Sequence, residues 1–261
     1  MGSVTINRHD DVPGVTELVL DRPEAHNAIS TEFARQLTAA TAELAADPSV
    51  RAVVLTSSAP KAFCVGADLK ERNSIDDDGL RAQRLVFREM FTDLLSLPVP
   101  VVAALHGYAL GGGLELALCC DLIVADESAV LGLPEVSVGV IPGGGGTQLL
   151  TRRLGWNRAA DLIFTARRLD AAEGYRLGLV DRLVDAGSAR ASAVSLASSI
   201  AAHSPVGVRS AKRAMRQGFD APLAAALDIE DAAWRATAFS GDRKEGVAAF
   251  NEKRRPDWPG E

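Results

Sequence analysis

Apolar positions fall first into short, nearly unbroken runs separated by polar or glycine-rich turns, and then, beyond Asn157, into helical spacing. The runs over 15–20, 50–56 and 99–105 predict strands, and the one over 50–56 is apolar at almost every position, as expected of a strand covered on both faces. Ser30 or Thr31 can cap a helix in which Phe33, Leu37, Ala40 and Leu44 recur on one face until Asp47-Pro48 stops it. A polar stretch over 73–79, containing Asp76-Asp77-Asp78, reads as a loop before a helix over 80–97 that ends at Pro98. Further strands are predicted at 122–125 and 129–133, and a helix at 148–154. The remainder reads as helices over 158–166, 171–177 (capped by Asp170), 189–203, 205–217 and 222–238, with a last one from 242 to before Arg255-Pro256. No second, strand-rich domain is expected.

The strands at 50–56 and 99–105 each lead into a small-residue segment: Ala62-Phe63-Cys64-Val65-Gly66-Ala67-Asp68-Leu69 and His106-Gly107-Tyr108-Ala109-Leu110-Gly111-Gly112-Gly113-Leu114-Glu115. Parallel strands with helical crossovers would bring the two segments to one end of a sheet. The second reads as strand, glycine turn, buried helix, whose free amides at the helix start can approach a ligand closely. Glu115 then sits among Leu114, Leu116, Ala117 and Leu118, where an unpaired carboxylate costs several kcal/mol. Either an arginine pairs with it or it does chemistry. Glu135 follows Gly132-Leu133-Pro134 in similarly apolar surroundings, and the same two readings apply to it. If both share a pocket they repel, so one tends to hold a proton while the other stays a base. Two amides on a thioester oxygen, one base and one acid suit addition of water across an α,β double bond.

Composition narrows the field. Hydrophobic residues at 47% and charged residues at 24% over 261 positions imply a packed core, and no apolar run is long enough to cross a membrane. The stretch 1–11 is polar and lacks the apolar centre of a signal peptide. Cys64, Cys119 and Cys120 show no ligand or disulfide spacing, which predicts reduced thiols and a cytoplasmic location. The four histidines are scattered, so no metal site is expected. A net charge of −6 disfavours nucleic acid and anionic membranes as partners. Arg22 and Lys253-Arg254-Arg255 remain candidates for a local anion contact. The run Gly143-Gly144-Gly145-Gly146 lacks the lysine of a phosphate loop and is weak evidence for nucleotides.

Four motifs together resemble the enoyl-CoA hydratase/isomerase, or crotonase, family: Asp21-Arg22-Pro23-Glu24-Ala25-His26-Asn27-Ala28, the segments 62–69 and 106–115, and Pro134-Glu135 followed by Ile141-Pro142-Gly143-Gly144-Gly145-Gly146-Thr147. The resemblance implies an α/β fold of the crotonase (ClpP/crotonase) type, a spiral of β-β-α units over 1–200. A helical region over 201–261 would follow, building homotrimers or hexamers and completing the CoA pocket. It implies an enoyl-CoA hydratase adding water syn across the 2,3 double bond to give 3-hydroxyacyl-CoA. Ala67 and Gly112 N–H would form the oxyanion hole, with Glu115 as base toward water and Glu135 as acid toward Cα. Arg22, Ala25, Ala67, Asp68 and Leu69 would contact CoA, and Phe250 and Lys253 would reach the CoA of a neighbouring subunit. The substrate carries CoA, so no cofactor and no metal are expected.

Segments 67–72, 111–118 and 252–256 look similar to the methylglutaconyl-CoA hydratase branch, which supplies the alternative substrate. That branch includes an RNA binder with a lysine-rich early helix. Here 31–47 holds only Arg35 against Glu32, Glu43 and Asp47, so the basic stripe is missing. A serine hydrolase would also use an oxyanion hole, but the chain has no GxSxG elbow and no histidine in a triad-like context.

Overall fold

The protein is described from a computed structural model, over residues 3–9 and 11–261. Met1, Gly2 and Asp10, part of the polar N-terminal stretch, lie outside the described residues. The first strands are β1 (Ser3–Arg8), β2 (Val15–Asp21), β3 (Ala52–Ser57), β4 (Ala62–Cys64) and β5 (Val101–Leu105). After them come β6 (Tyr108–Leu110), β7 (Leu122–Asp126), β8 (Val130–Gly132), β9 (Leu169–Asp170) and β10 (Arg182–Val184). They form two sheets, β1-β2-β3-β5-β7-β10 and β4-β6-β8-β9, parallel apart from the β1/β2 and β8/β9 pairs. Each of the pairs β3/β4, β5/β6 and β7/β8 contributes one strand to the large sheet and the next to the small one, and then enters a helical segment. That is the expected spiral of β-β-α units.

Helices α1 (Thr31–Ala46), α2 (Leu69–Arg72), α3 (Asp77–Leu95) and α4 (Gly112–Cys119) follow or flank these strands, with α5 (Gly146–Leu154), α6 (Trp156–Thr165) and α7 (Ala171–Leu177) beyond β8. Ser30 caps α1 by accepting from Phe33 N–H, and Asp170 caps α7 through Glu173 N–H. Both match the sequence pattern. The triple aspartate does not form the loop expected: Asp76 accepts from Gly79 N–H at 2.8 Å and starts α3 at Asp77, with Asp77 and Asp78 in the first turn, where the helix dipole favours negative charge. A second difference is larger. Residues 108–110 are not part of a turn but a strand of the small sheet, so the central motif is strand, strand, helix.

The unbroken apolar runs have a simple origin. Val53 and Leu55 point into the main core with α1, α3 and α4, while Ala52 and Val54 point the other way, onto α8 (Ala189–Ala201). That helix offers Ala189, Ala193, Leu196, Ala197 and Ala201 along one stripe. Glu17, on the same face of β2 as Val15, is fully buried and accepts two bonds from Arg190 of α8, at 2.6 and 2.5 Å. The chain ends in α9 (Pro205–Gly218), α10 (Leu223–Ala238) and α11 (Gly241–Glu252). Lys212 of α9 reaches Asp121 at 2.6 Å and the Val99 carbonyl at 2.7 Å, fastening α9 at the entry to β5. The tail returns to the body, with Trp258 Nε1 donating to the Ala202 carbonyl and Gly260 N–H to Asp242. No helix among the described residues is long and apolar enough to cross a membrane.

One contact sets how closely α4 approaches the small sheet. A Cβ at Gly113 would lie 2.0 Å from the Cys64 carbonyl oxygen, so a side chain there forces helix and strand apart. Gly113→Ala is expected to cost about 3 kcal/mol or more of stability, read as a lowered midpoint in urea with an unchanged slope.

Candidate active site

The site lies where β4 and β6 end side by side. Past β4 the chain makes a parallel bridge with Ile29: Ile29 N–H donates to the Gly66 carbonyl at 2.8 Å and Asp68 N–H to the Ile29 carbonyl at 2.9 Å. A parallel bridge uses alternate residues, so the Ala67 amide between them faces away from Ile29. Past β6, Gly111 takes φ 53° and ψ −129°, a conformation open to glycine, and Gly112 begins α4 with its N–H outside the helical ladder. The two turns touch, since a Cβ at Gly112 would be 3.5 Å from Gly66 Cα. Neither the Ala67 nor the Gly112 amide meets a protein acceptor among the described residues.

Glu115 and Glu135 reach the same cleft from different directions. Glu115, on α4, is 3% exposed, and its Oε1 accepts from Gly144 N–H at 2.6 Å and Gly146 N–H at 2.8 Å. Among the described residues no arginine pairs with it by contact. Burial pushes its pKa up, and the Gly146 and Gly144 amides and the charge of Arg84 pull against that. Glu135 opens a 3-10 turn, Glu135–Val138, and both its carboxyl oxygens are buried without a hydrogen-bond partner. Its Oε1 lies against Gly111, 3.1 Å from where a Cβ would stand. Burial pushes its pKa to about 7, opposed by its own backbone amide and by the charge of Arg72 and helped by the negative charge of Glu115.

The glycine run that looked weak for nucleotides is therefore the clamp on Glu115. Glycine suits Gly146, where a Cβ would come within 2.9 Å of Glu115 Oε1. Phe91 of α3 closes the wall, with its ring against both Gly144 and Gly112. Neither the clamp nor the aromatic wall follows from local sequence pattern, because both depend on pairing between residues more than twenty positions apart.

The other candidates divide. Arg22 donates to Asp68 at 2.7 Å and to the Ala28 carbonyl at 2.8 Å, so its guanidinium braces the loop before the turn at Ala67. Asp68 also caps α2 through Lys70 and Glu71 N–H, and it stays below the usual carboxylate range because Arg22 and these amides outweigh its burial. Asn27, not singled out in the sequence, is fully buried and bonds Arg22 N–H, Ser57 Oγ and the Phe63 carbonyl. Ala25 is half-buried at the end of its 3-10 turn, and Leu69 is exposed at the start of α2. Phe250, 83% exposed, and Lys253 lie at the end of α11, which packs on α9 and α10 rather than on the cleft.

The chain resembles known proteins of one family over nearly its whole length. The sequence profile described as enoyl-CoA hydratase/isomerase matches residues 11–261. The human mitochondrial enoyl-CoA hydratase domain-containing protein 2 is 44% identical over 255 residues, 95% of this chain and 86% of that protein. Mouse mitochondrial methylglutaconyl-CoA hydratase is 41% identical over 252 residues, 95% of this chain and 80% of that one. The crystal structure of an enoyl-CoA hydratase from Bacillus anthracis superposes with a TM-score of 0.96 at 38% identity, covering 99% of this chain and all of the other.

An unpartnered carboxyl raised from the ordinary 4.5 to about 7 weakens the fold as pH rises through that interval and costs a constant amount above it. Glu135→Gln should therefore stabilise the protein by about 3 kcal/mol at pH 8, and leave it unchanged at pH 4, in paired denaturant titrations.

Proposed function

The chain belongs to the enoyl-CoA hydratase/isomerase family, and we propose that it adds water syn across the 2,3 double bond of an enoyl-CoA thioester to give 3-hydroxyacyl-CoA. The observation that carries this reading is the unequal treatment of two buried carboxylates in one cleft. Glu115 is bonded through one oxygen by two amides, which favours its ionised form and leaves Oε2 for water. Glu135 has no partner on another of the described residues and a pKa near neutrality, so it can hold a proton at working pH. Glu115 takes a proton from water as the oxygen attacks C3. The electron pair of the double bond moves onto the thioester oxygen, where the Ala67 and Gly112 amides stabilise the enolate. Cα then receives the proton of Glu135, and the two carboxyls exchange protons with solvent to reset. Amide donors supply the polarisation, so we assign no metal and no cofactor beyond the CoA of the substrate.

A branched methylglutaconyl thioester is the second reading, favoured by relatives of that name at 40–41% identity. Residues 201–261 are our candidates for assembly into a trimer or a pair of trimers. Met215, Phe219, Leu223, Trp234, Phe239 and Phe250 are each 65–83% exposed there, more apolar surface than a lone chain ordinarily presents. In such an assembly Phe250 and Lys253 would meet a neighbour's CoA. The three buried free thiols accord with a reducing compartment, the cytoplasm in our reading.

Glu115→Gln and Glu135→Gln should each lower kcat by about 10²- to 10⁴-fold, followed as loss of enoyl-thioester absorbance; full activity in both would defeat the two-carboxylate mechanism. In the parent, kcat/KM should fall as pH rises past about 7, because Glu135 then gives up its proton. Light scattering should give a mass three or six times 27.5 kDa.

A further inference from the structure

The loop between β2 and α1 is bonded to the end of β4 and the turn after it at almost every residue. Val65 N–H donates to the His26 carbonyl at 3.2 Å, the Cys64 thiol to the Asn27 carbonyl at 3.0 Å, Ile29 N–H to the Gly66 carbonyl at 2.8 Å and Asp68 N–H to the Ile29 carbonyl at 2.9 Å. Asn27 Nδ2 adds the Phe63 carbonyl at 2.8 Å. Phe63 to Gly66 and Asp68 are thus each fixed from this loop. The residue left between them is Ala67, whose amide faces the cleft.

The loop that does this is itself strained. His26 and Asn27 take φ of 51° and 55° in succession, and neither is glycine. Asparagine tolerates that region better than most side chains, and the Asn27 carboxamide, fully buried, is engaged at every atom. Its Oδ1 accepts from Arg22 N–H at 2.7 Å and closes the loop on its own start, while Nδ2 donates to the Phe63 carbonyl and to Ser57 Oγ, each at 2.8 Å. Ser57 commits its hydroxyl hydrogen to the Ala62 carbonyl at 2.7 Å, so toward Asn27 it only accepts. Small displacements here reach the cleft. A Cβ at Gly66 would stand 3.0 Å from both Gly112 N and the Leu110 carbonyl oxygen, so the turn carrying Ala67 packs backbone to backbone on the turn carrying Gly112. Any shift of residues 63–68 changes the gap between the two amide donors.

We propose that Asn27 is a positioning residue, whose carboxamide holds the Ala67 amide where charge develops on the thioester oxygen. The inference rests on the hydratase reading above. Two variants test it: Asn27→Gly accommodates φ 55° and removes the carboxamide, and Ser57→Ala leaves Asn27 in place and removes one of its two acceptors. On a short enoyl-CoA, kcat should fall about 10- to 100-fold in Asn27→Gly and less in Ser57→Ala. KM should change little, because the bond from amide to enolate is made in the transition state. The decisive readout is spectroscopic. A 2,4-dienoyl-CoA bound to the parent should absorb at longer wavelength than when free, since its carbonyl is polarised, and in both variants the band should move back toward the free position. A role in stability alone would reduce the amount of bound chromophore without moving its wavelength, so the readout holds on whatever fraction folds. Should Asn27→Gly not fold at all, Ser57→Ala decides by itself. A parent-like band in the variants overturns the proposal, as does a raised KM with kcat preserved, which would assign Asn27 to the loop of Arg22. A parent that shifts the band yet hydrates no enoyl-CoA removes the hydratase reading and leaves the role of Asn27 standing, whereas a parent that shifts no band removes that role.

Discussion

Everything in the cleft depends on keeping Glu115 hydrogen-bonded inside an apolar helix. A carboxylate 3% exposed cannot rely on water, and hydrogen bonds to a charged group contribute about 1.5–3 kcal/mol each. Two such bonds come from Gly144 and Gly146, 29 and 31 residues further along the chain. To deliver them, the start of α5 must lie against α4 with no side chain at Gly146, and Phe91 must fill the space beside Gly144. The same closure carries the 3-10 turn of Glu135 to Gly111, so the clamp on one carboxylate also sets where the other stands.

Burial alone does not separate the two roles. Glu17 is more deeply buried than either, yet its pKa is lowered, because Arg190 and His9 outweigh the desolvation. Asp68 behaves likewise beside Arg22. What distinguishes Glu135 is that no other residue bonds its carboxyl oxygens, so only its own backbone amide and the charge of Arg72 oppose desolvation and the neighbouring negative charge. The fold tolerates that destabilisation at Glu135 and removes it at Glu17 and Asp68. Such selective neglect is characteristic of a group kept ready to hold a proton.

Much of this was legible from local pattern. The apolar runs located β2, β3, β5 and β7 of the large sheet but not β1 or β10, Ser30 and Asp170 marked helix starts, and the two glutamates stood out because their neighbours are apolar. Less visible were features whose stability comes from partners distant in sequence. A three-residue strand such as Tyr108–Leu110, with an exposed tyrosine, has no periodicity of its own and exists because Ala62 to Cys64 and Val130 to Gly132 flank it. Three consecutive aspartates read as a solvated loop because composition alone does not tell a cap from a coil; the bond from Gly79 does.

The paired amides of the cleft show how two unrelated local rules converge on one function. Ala67 N–H is free because a parallel bridge engages alternate residues, leaving the one between its bonded neighbours facing outward. Gly112 N–H is free because the first amides of a helix have no acceptor within it. Neither rule requires the two donors to be close. Closeness comes from β4 and β6 being parallel neighbours in the small sheet, so that the residues after each emerge on one side. The packing of Gly113 on the Cys64 carbonyl then draws the start of α4 onto the turn at Gly66. Because each β-β-α unit sends its second strand to that sheet, the repeat itself generates adjacent, unpaired amides. The glycine run at 111–113 serves the close approach.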